Sequence, residues 1–292
     1  MTTNERRVAL VTGASAGIGK TIAQRLLRDG WIVYGGARRV EQMRDLEAAG
    51  ARIVKLDVTD DASMQAAVAA VLGREGRIDA LVNSAGYGSY GALEDVAIAE
   101  ARRQFDVNVF GLVRMAQLVL PGMRAARRGT IINISSMGGR IWMPIGGWYH
   151  ATKHAVEVLS DALRVETRPF GVDVVVIQPG AIASEWAGVA ARTLAASAAT
   201  SAYGDQIAPM AAILGDYGKA ASPEVVADAV GKALAARRPK RRYAAPFESR
   251  MLMFMRWLLP DWAWERMVAR EMRTRAKSAA RAAKPPTTAA AA

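Results

Sequence analysis

Tyr149 and Lys153 stand four residues apart in a stretch of helical character, so their side chains share one helix face. An ammonium beside a phenol favours the phenolate and lowers the phenol pKa from its ordinary value of about 10. That makes Tyr149 a candidate general acid and base near neutral pH. Ser136 lies just past an Ile-rich run and ahead of Tyr149. A hydroxyl there can hydrogen-bond the oxygen of a substrate carbonyl. A second piece of chemistry is carried by Thr12-Gly13-Ala14-Ser15-Ala16-Gly17-Ile18-Gly19. Glycines let the backbone approach a pyrophosphate, and the N-terminus of a following helix offers it unpaired N–H groups. The same residues also read as G-x-S-x-G, the nucleophile elbow of an α/β-hydrolase, with Ser15 as nucleophile. That enzyme needs a base histidine late in the chain. The only histidines, His150 and His154, lie in one helical segment and none follows, so the hydrolase reading is disfavoured.

These groups need a scaffold. The apolar runs 7–12, 31–35, 52–56, 79–83, 130–135 and 172–178 are continuous rather than alternating. They are separated by helical stretches at 17–28, 62–72, 99–123 and 149–168. This pattern predicts a parallel sheet covered on both faces. Residues 184–222, rich in Ala, Ser and Thr, predict a loop region over the substrate. A helix follows from 224 to 236, then a short strand at Tyr243. Residues 1–245 read as one domain, 246–280 as a helical extension and 281–292 as a disordered, low-complexity tail. The 292 residues are 51% hydrophobic and 23% charged, which excludes disorder as the main state. With no cysteine, disulfides, thiolate metal sites and cysteine nucleophiles are excluded, and no metal is expected. The net charge of +12 is concentrated at the end: residues 237–292 hold 14 of the 39 Lys and Arg but 4 of the 27 Asp and Glu. The nearly neutral body argues against nucleic-acid binding. No apolar leader is seen and no window reaches the roughly 20 apolar residues of a membrane span, so a cytoplasmic location is expected.

Taken in order, Thr12-Gly-x-x-x-Gly17-Ile-Gly19, Asp57, Asn83-Ser84-Ala85-Gly86, Asn108, Ser136, Tyr149-x-x-x-Lys153 and Pro179-Gly180 resemble the short-chain dehydrogenase/reductase family over roughly residues 5–240. Gly88-Ser-Tyr-Gly-Ala-Leu-Glu94, Ser136-Met-Gly-Gly139 and Pro169-Phe-Gly171 more loosely resemble its 17β-hydroxysteroid and retinol dehydrogenase branch. Ser84 departs from the family's usual second Asn. The resemblance implies an α/β, Rossmann-type doubly wound sheet, here with a C-terminal helical extension. It implies that Tyr149 exchanges a proton with the carbonyl oxygen as hydride is transferred. Lys153 lowers the Tyr149 pKa and holds the nicotinamide ribose, Ser136 orients the carbonyl, and Asn108 supports a proton relay through water. It also implies a dinucleotide held by Gly13, Ser15, Gly17, Ile18, Gly19, Asp57, Val58, Asn83, Ala85, Gly86, Tyr149, Lys153, Pro179, Gly180 and Ile182. Such proteins form homodimers or homotetramers through the helices near 99–123 and 149–168. The alternative is an NADP-binding regulatory or membrane-surface protein with a silent site, against which the intact Ser136, Tyr149 and Lys153 set argues.

An NAD-specific fold places an acid about 20 residues beyond the glycine turn. Here that place holds Gly35-Gly36-Ala37-Arg38-Arg39. Guanidinium groups fit a 2′-phosphate by charge and geometry, so NADP(H) is the expected cofactor, with Arg38 the main contact, Arg39 a second, and NAD(H) the lesser option. Met137, Ile141, Trp142, Met143, Pro144, Ile145 and Trp148, with Tyr87, Tyr90, Trp186 and the Ala-rich segment 187–215, predict an apolar pocket for a small-molecule substrate, a sizeable apolar carbonyl or alcohol such as a steroid, retinoid, terpenoid or fatty carbonyl. His150 and His154 are expected on the outer side of their helix or at a subunit contact. In the basic stretch 251–277, Trp264, Met267, Val268 and Met272 share a helical face. They fit either a cap on the substrate pocket or a partner subunit, or a peripheral membrane contact.

Overall fold

The computed structural model describes residues 6–282. Its chain order begins β1 (Val8–Thr12), α1 (Gly17–Arg28), β2 (Ile32–Ala37), α2 (Arg44–Ala48), β3 (Arg52–Lys55), α3 (Asp61–Glu75) and β4 (Ala80–Asn83). It continues with α4 (Ile98–Phe105), α5 (Gly111–Ala125), β5 (Gly129–Ile134), α6 (Gly147–Thr167) and β6 (Val172–Pro179). It ends with α7 (Glu185–Ala198), α8 (Gly204–Gly215), α9 (Glu224–Ala235), β7 (Arg242–Ala245), α10 (Phe247–Leu258) and α11 (Asp261–Ala282).

The seven strands form one parallel sheet in the order β3-β2-β1-β4-β5-β6-β7. Apolar side chains leave both faces, as a doubly covered sheet requires. Ala9, Val11, Val33, Val82, Ile132 and Val175 pack with α1 and α9 on one side. Val8, Leu10, Tyr34, Leu81, Ile131 and Val174 pack with α3 and α5 on the other. The strand order reverses between β1 and β4, and at such a switch point the carboxyl ends of the strands leave a crevice for a ligand. Thr12 and Asn83 end the two strands that flank it.

Three expectations change. The long helix predicted over 99–123 is interrupted by a π-helical turn, Asp106–Phe110, between α4 and α5. Residues 184–222 are mostly helical, as α7 and α8, rather than a loop; alanine is the strongest helix former and the small residues here favour helix once packed. α11 runs to Ala282, so the tail expected from 281 begins no earlier than 283, and residues 283–292 lie outside those described. Among the described residues no helix is long and apolar enough to cross a membrane.

Candidate active site

The glycine turn is set by backbone contacts. Thr12 Oγ1 accepts hydrogen bonds from the Ser84 and Ala85 N–H groups, each at 3.0 Å, which ties the end of β1 to the loop after β4. A Cβ on Gly13 would stand 2.8 Å from Ala85 Cα, and Gly13 has φ +71°, so only glycine fits. The helix behind it, α1, is preceded at its N-cap by Ala16, whose side chain caps nothing, so no N-cap side chain occupies the first N–H groups of α1.

One cavity of about 1190 Å³ runs from this turn to the C-terminal helices. Its first part is lined by Gly13, Ser15, Gly17, Ile18, Gly19, Arg38, Arg39, Asp57, Val58, Ala85 and Gly86, and its middle by Ser136, Tyr149, Lys153, Pro179, Gly180 and Ile182. The sequence-derived residues therefore come together, with two exceptions. Asn83 does not line the cavity. Its side chain is buried on the face of Leu81, donating to the Leu112 carbonyl at 3.2 Å and to Asn133 Oδ1 at 3.0 Å. Asn108 also stands behind the wall. Its Oδ1 accepts from the Tyr87 N–H at 3.0 Å, and its Nδ2 donates to the Tyr87 carbonyl at 2.9 Å and to Thr152 Oγ1 at 3.1 Å. Its side chain clamps the loop after β4 to α6. The π-helical turn around it is a local feature that often marks functional helices.

Tyr149 projects from the first turn of α6 into a group of rings. Its centroid lies 5.8 Å from Tyr90 and 5.0 Å from Trp186, and Trp186 stacks on Tyr217 at 5.7 Å. Burial pushes the Tyr149 phenol above its ordinary pKa, and a hydrogen bond from the Ser136 hydroxyl opposes that shift. The net direction is upward, against the lowering implied for the Tyr149–Lys153 pair. The physical reason is desolvation among aromatic rings, with the ammonium turned elsewhere: Lys153 Nζ donates to the Ile134 carbonyl at 2.9 Å and lies 6.0 Å from the Tyr149 ring centre. Burial lowers the Lys153 pKa to about 8, and Glu157 one turn further along α6 opposes it. Glu157 is buried and held by Gln178 at 2.9 Å, Arg242 at 2.8 Å and Arg140 at 3.2 Å. Ser136 Oγ accepts from the Gly138 N–H at 3.0 Å, which fixes its direction.

His150 is not on the outer side of α6. It is buried, lines the cavity and donates from Nδ1 to the Gly138 carbonyl at 3.0 Å. Burial lowers its pKa to about 4, so it is neutral at pH 7. His154 is exposed, as expected. No group of three or more His, Asp or Glu among the described residues is placed to hold a metal ion.

The far end of the cavity is mostly apolar, with Arg192 of α7 and the paired Glu271 and Arg275 of α11 as its charged members. Met137, Ile141 and Met143 line it, as do Met210, Ile213 and Leu214 of α8, Leu252 of α10, and Trp264, Met267 and Val268 of α11. Trp142, Pro144, Ile145 and Trp148, expected at the pocket, do not line it; Ile145 packs in the adjoining core, and Trp148 packs against Phe105. Trp264 is 1% exposed and packs with Tyr90, Tyr149 and Ile141 in one cluster. The face at 264, 267, 268 and 272 is thus a cap over the pocket. Met210 and Leu214 belong to the Ala-rich stretch expected over the substrate, though no motif singles them out, and Tyr217 just beyond position 215 was missed. At the dinucleotide end, Arg39 reaches Ser15 Oγ at 3.4 Å and Glu185 at 3.6 Å, while Arg38 makes no close ion pair among the described residues, its charge acting on Asp57 from a distance. The donor set therefore fits a dinucleotide: open N–H groups at a helix start, glycines under the backbone, and a guanidinium free to meet a phosphate.

Known proteins are similar to this chain in sequence and in fold. A family model described as short chain dehydrogenase matches residues 7–194. A 3-ketodihydrosphingosine reductase from Bacteroides thetaiotaomicron is 45% identical over 60% of this chain, a match that spans 63% of that protein's length. An NADPH-dependent 3-dehydrocapnine reductase from Ornithobacterium rhinotracheale is 35% identical over 87% of this chain and 93% of its own. The crystal structure of a short-chain dehydrogenase from Streptomyces avermitilis superposes with a TM-score of 0.77 at 31% identity, covering 97% of this chain and all of that one. The turn, the Ser136, Tyr149 and Lys153 wall and the matched length together show that the chain belongs to the short-chain dehydrogenase/reductase family, oxidoreductases that act on CH–OH groups with a nicotinamide dinucleotide.

Proposed function

We propose that the chain reduces a ketone carried on an extended apolar molecule, using NADPH in preference to NADH. The observation that carries this reading is one continuous cavity, with Arg38 at one end, the Ser136 and Tyr149 wall in the middle and a mostly apolar chamber lined by α8, α10 and α11 at the other. When bound, the reduced dinucleotide supplies hydride to the carbonyl carbon. Ser136 Oγ, aimed by the Gly138 N–H, receives the carbonyl oxygen. Tyr149, kept protonated by burial, is in the form needed to give that oxygen its proton. Lys153 supplies positive charge beside the site and would meet a ribose hydroxyl of the bound dinucleotide. Asn108 keeps the Gly86–Tyr87 wall in place and supports the return of a proton through water. The aromatic and methionine lining excludes water from the reacting carbonyl.

A lipid ketone of the 3-ketodihydrosphingosine kind suits the chamber, and two relatives are named for reductions of that general sort. Self-association through α4, α5, the π-helical turn between them and α6 is supported by the exposed Ile98 of α4, Phe110 of the turn, and Val158 and Val165 of α6. A cytoplasmic location completes the reading. The test is a series of methyl ketones of rising alkyl length, followed through loss of nicotinamide absorbance. Each added methylene that the chamber buries is worth about 0.8 kcal/mol, so kcat/KM should rise by about fourfold per carbon until the chamber is full. A flat series would refute the apolar chamber as the substrate site.

A further inference from the structure

The helices that cap the pocket have a second face. On α10, Phe247, Met251, Phe254 and Leu258 recur at helical spacing and are all exposed. Met255 lies beside them, Trp257 is 78% exposed, and Trp262 at the start of α11 is 61% exposed. The inner side of the same helix carries Leu252, which lines the cavity, and the buried Ser249. This inverts the usual surface helix, whose outer side is polar. A contiguous exposed patch of this kind marks an interaction surface.

Charge decides what covers it. Arg250 is exposed at the edge of the patch. The Arg266 guanidinium lies 5.3 Å over the Trp262 ring, and Arg256 sits 5.8 Å over Trp264. Arg270 and Arg273 follow on the exposed side of α11. Glu248, Asp261, Glu265 and Glu271 are the nearby acids; Asp261 is paired with Arg256 at 2.6 Å and Glu271 with Arg275 at 2.8 Å. The region keeps a surplus of arginine. Two copies brought together through this face would oppose like charges, whereas an anionic bilayer attracts them. Exposed aromatics ringed by arginine are the composition of helices that lie in a membrane interface.

We propose that the outer face of α10 and the start of α11 docks on the surface of an anionic lipid bilayer. The dinucleotide end then remains in water, and the chamber behind Leu252, Trp264 and Met267 opens toward the lipid. An apolar ketone would pass from the bilayer between these helices without crossing water. The docking stands on the surface alone; the passage of a ketone rests on the reductase reading.

The test uses the full chain and co-sedimentation with vesicles of phosphatidylglycerol and phosphatidylcholine in equal parts, against phosphatidylcholine alone. Sedimentation with the first, weakened by salt, is expected. Arg250→Gln should weaken it by about fivefold, and Phe254→Gln with Trp257→Gln should abolish it. In that double variant, NADPH binding and the reduction of a water-soluble ketone should be unchanged, while reduction of a vesicle-dissolved ketone falls. Failure of the wild-type chain to bind anionic vesicles would overturn the docking, as would undiminished binding by the double variant. A change in oligomeric mass of the double variant by light scattering would assign the face to a second copy and overturn it too. Equal loss on both ketones would overturn the passage. Vesicle binding with no ketone reduced would keep the docking and refute the reductase reading.

Discussion

Replacing Arg38 with alanine should change which dinucleotide the protein prefers, and the structure sets the size of the effect. Arg38 lines the cavity without a close ion pair among the described residues, whereas Arg39 is drawn toward Glu185 and Ser15. A charge-assisted hydrogen bond from a guanidinium to a phosphate contributes about 1.5–3 kcal/mol. Arg38 is exposed, so screening places the effect at the low end, near 1.5 kcal/mol, or about tenfold in affinity. NADPH should therefore bind about tenfold more weakly to Arg38→Ala, while NADH, which lacks the 2′-phosphate, should change by no more than about twofold. Arg39→Ala should cost less, because its guanidinium already faces a carboxylate. The assay is nicotinamide fluorescence titration with both dinucleotides at low and high salt, and the NADPH loss should shrink as salt rises. An equal loss for both dinucleotides, or a loss seen only in Arg39→Ala, would refute the assignment.

Other perturbations follow from the same geometry. Gly13→Ala forces a side chain into a positive φ and against the Ala85 backbone; thermal melts should show destabilisation, and titration should show dinucleotide binding lost. Asn83→Ala removes a buried network member that does not line the cavity; stability should fall by about 1–3 kcal/mol in urea unfolding while NADPH affinity holds. Lys153 carries a pKa lowered by burial to about 8 against an ordinary 10.5. The unfolded chain therefore binds the proton more tightly, and the penalty is fully present below pH 8 and relieved as pH rises toward 10.5. It amounts to about 3 kcal/mol. After the loss of the Ile134 hydrogen bond, Lys153→Met should be more stable than wild type by about 2 kcal/mol below pH 8. That advantage should vanish near pH 10.5 in melts across pH; a difference independent of pH would contradict the buried charge.

Much of the scaffold was legible because a parallel sheet leaves continuous apolar runs, and each run from β1 to β6 became a strand within two residues of its reading. The turn at Gly13–Gly19 was legible from its glycines, and the Tyr149 to Lys153 spacing from helical period. Side-chain direction was less so. Asn83 belongs to the dinucleotide-binding motif by position, yet it shares a strand face with Leu81 and so points into the core. The π-helical turn at Asp106–Phe110 has no glycine or proline to announce it; it comes with the packing of Asn108 between the loop after β4 and α6. The stretch 184–222 looked like a loop because Ser and Thr are read as breakers, although its alanines favour helix. The face at Trp264, Met267 and Val268 was visible as periodicity. What it covers was not, because Tyr90, Ile141 and Tyr149 lie far away in the chain. The pKa of Tyr149 could not be read from the Lys153 spacing, since it depends on the burial that Trp186 and Tyr217 complete.

The most direct test of the account is the stoichiometry of turnover. The purified chain is mixed with NADPH and a long-chain ketone such as 3-ketodihydrosphingosine, and both dinucleotide oxidation and alcohol formation are followed. Equal amounts of NADPH consumed and alcohol formed are expected, with a rate lower by about a hundredfold or more in Tyr149→Phe and NADPH binding intact. Full activity in Tyr149→Phe, or tight NADPH binding with no carbonyl of any chain length reduced, would contradict the reductase reading.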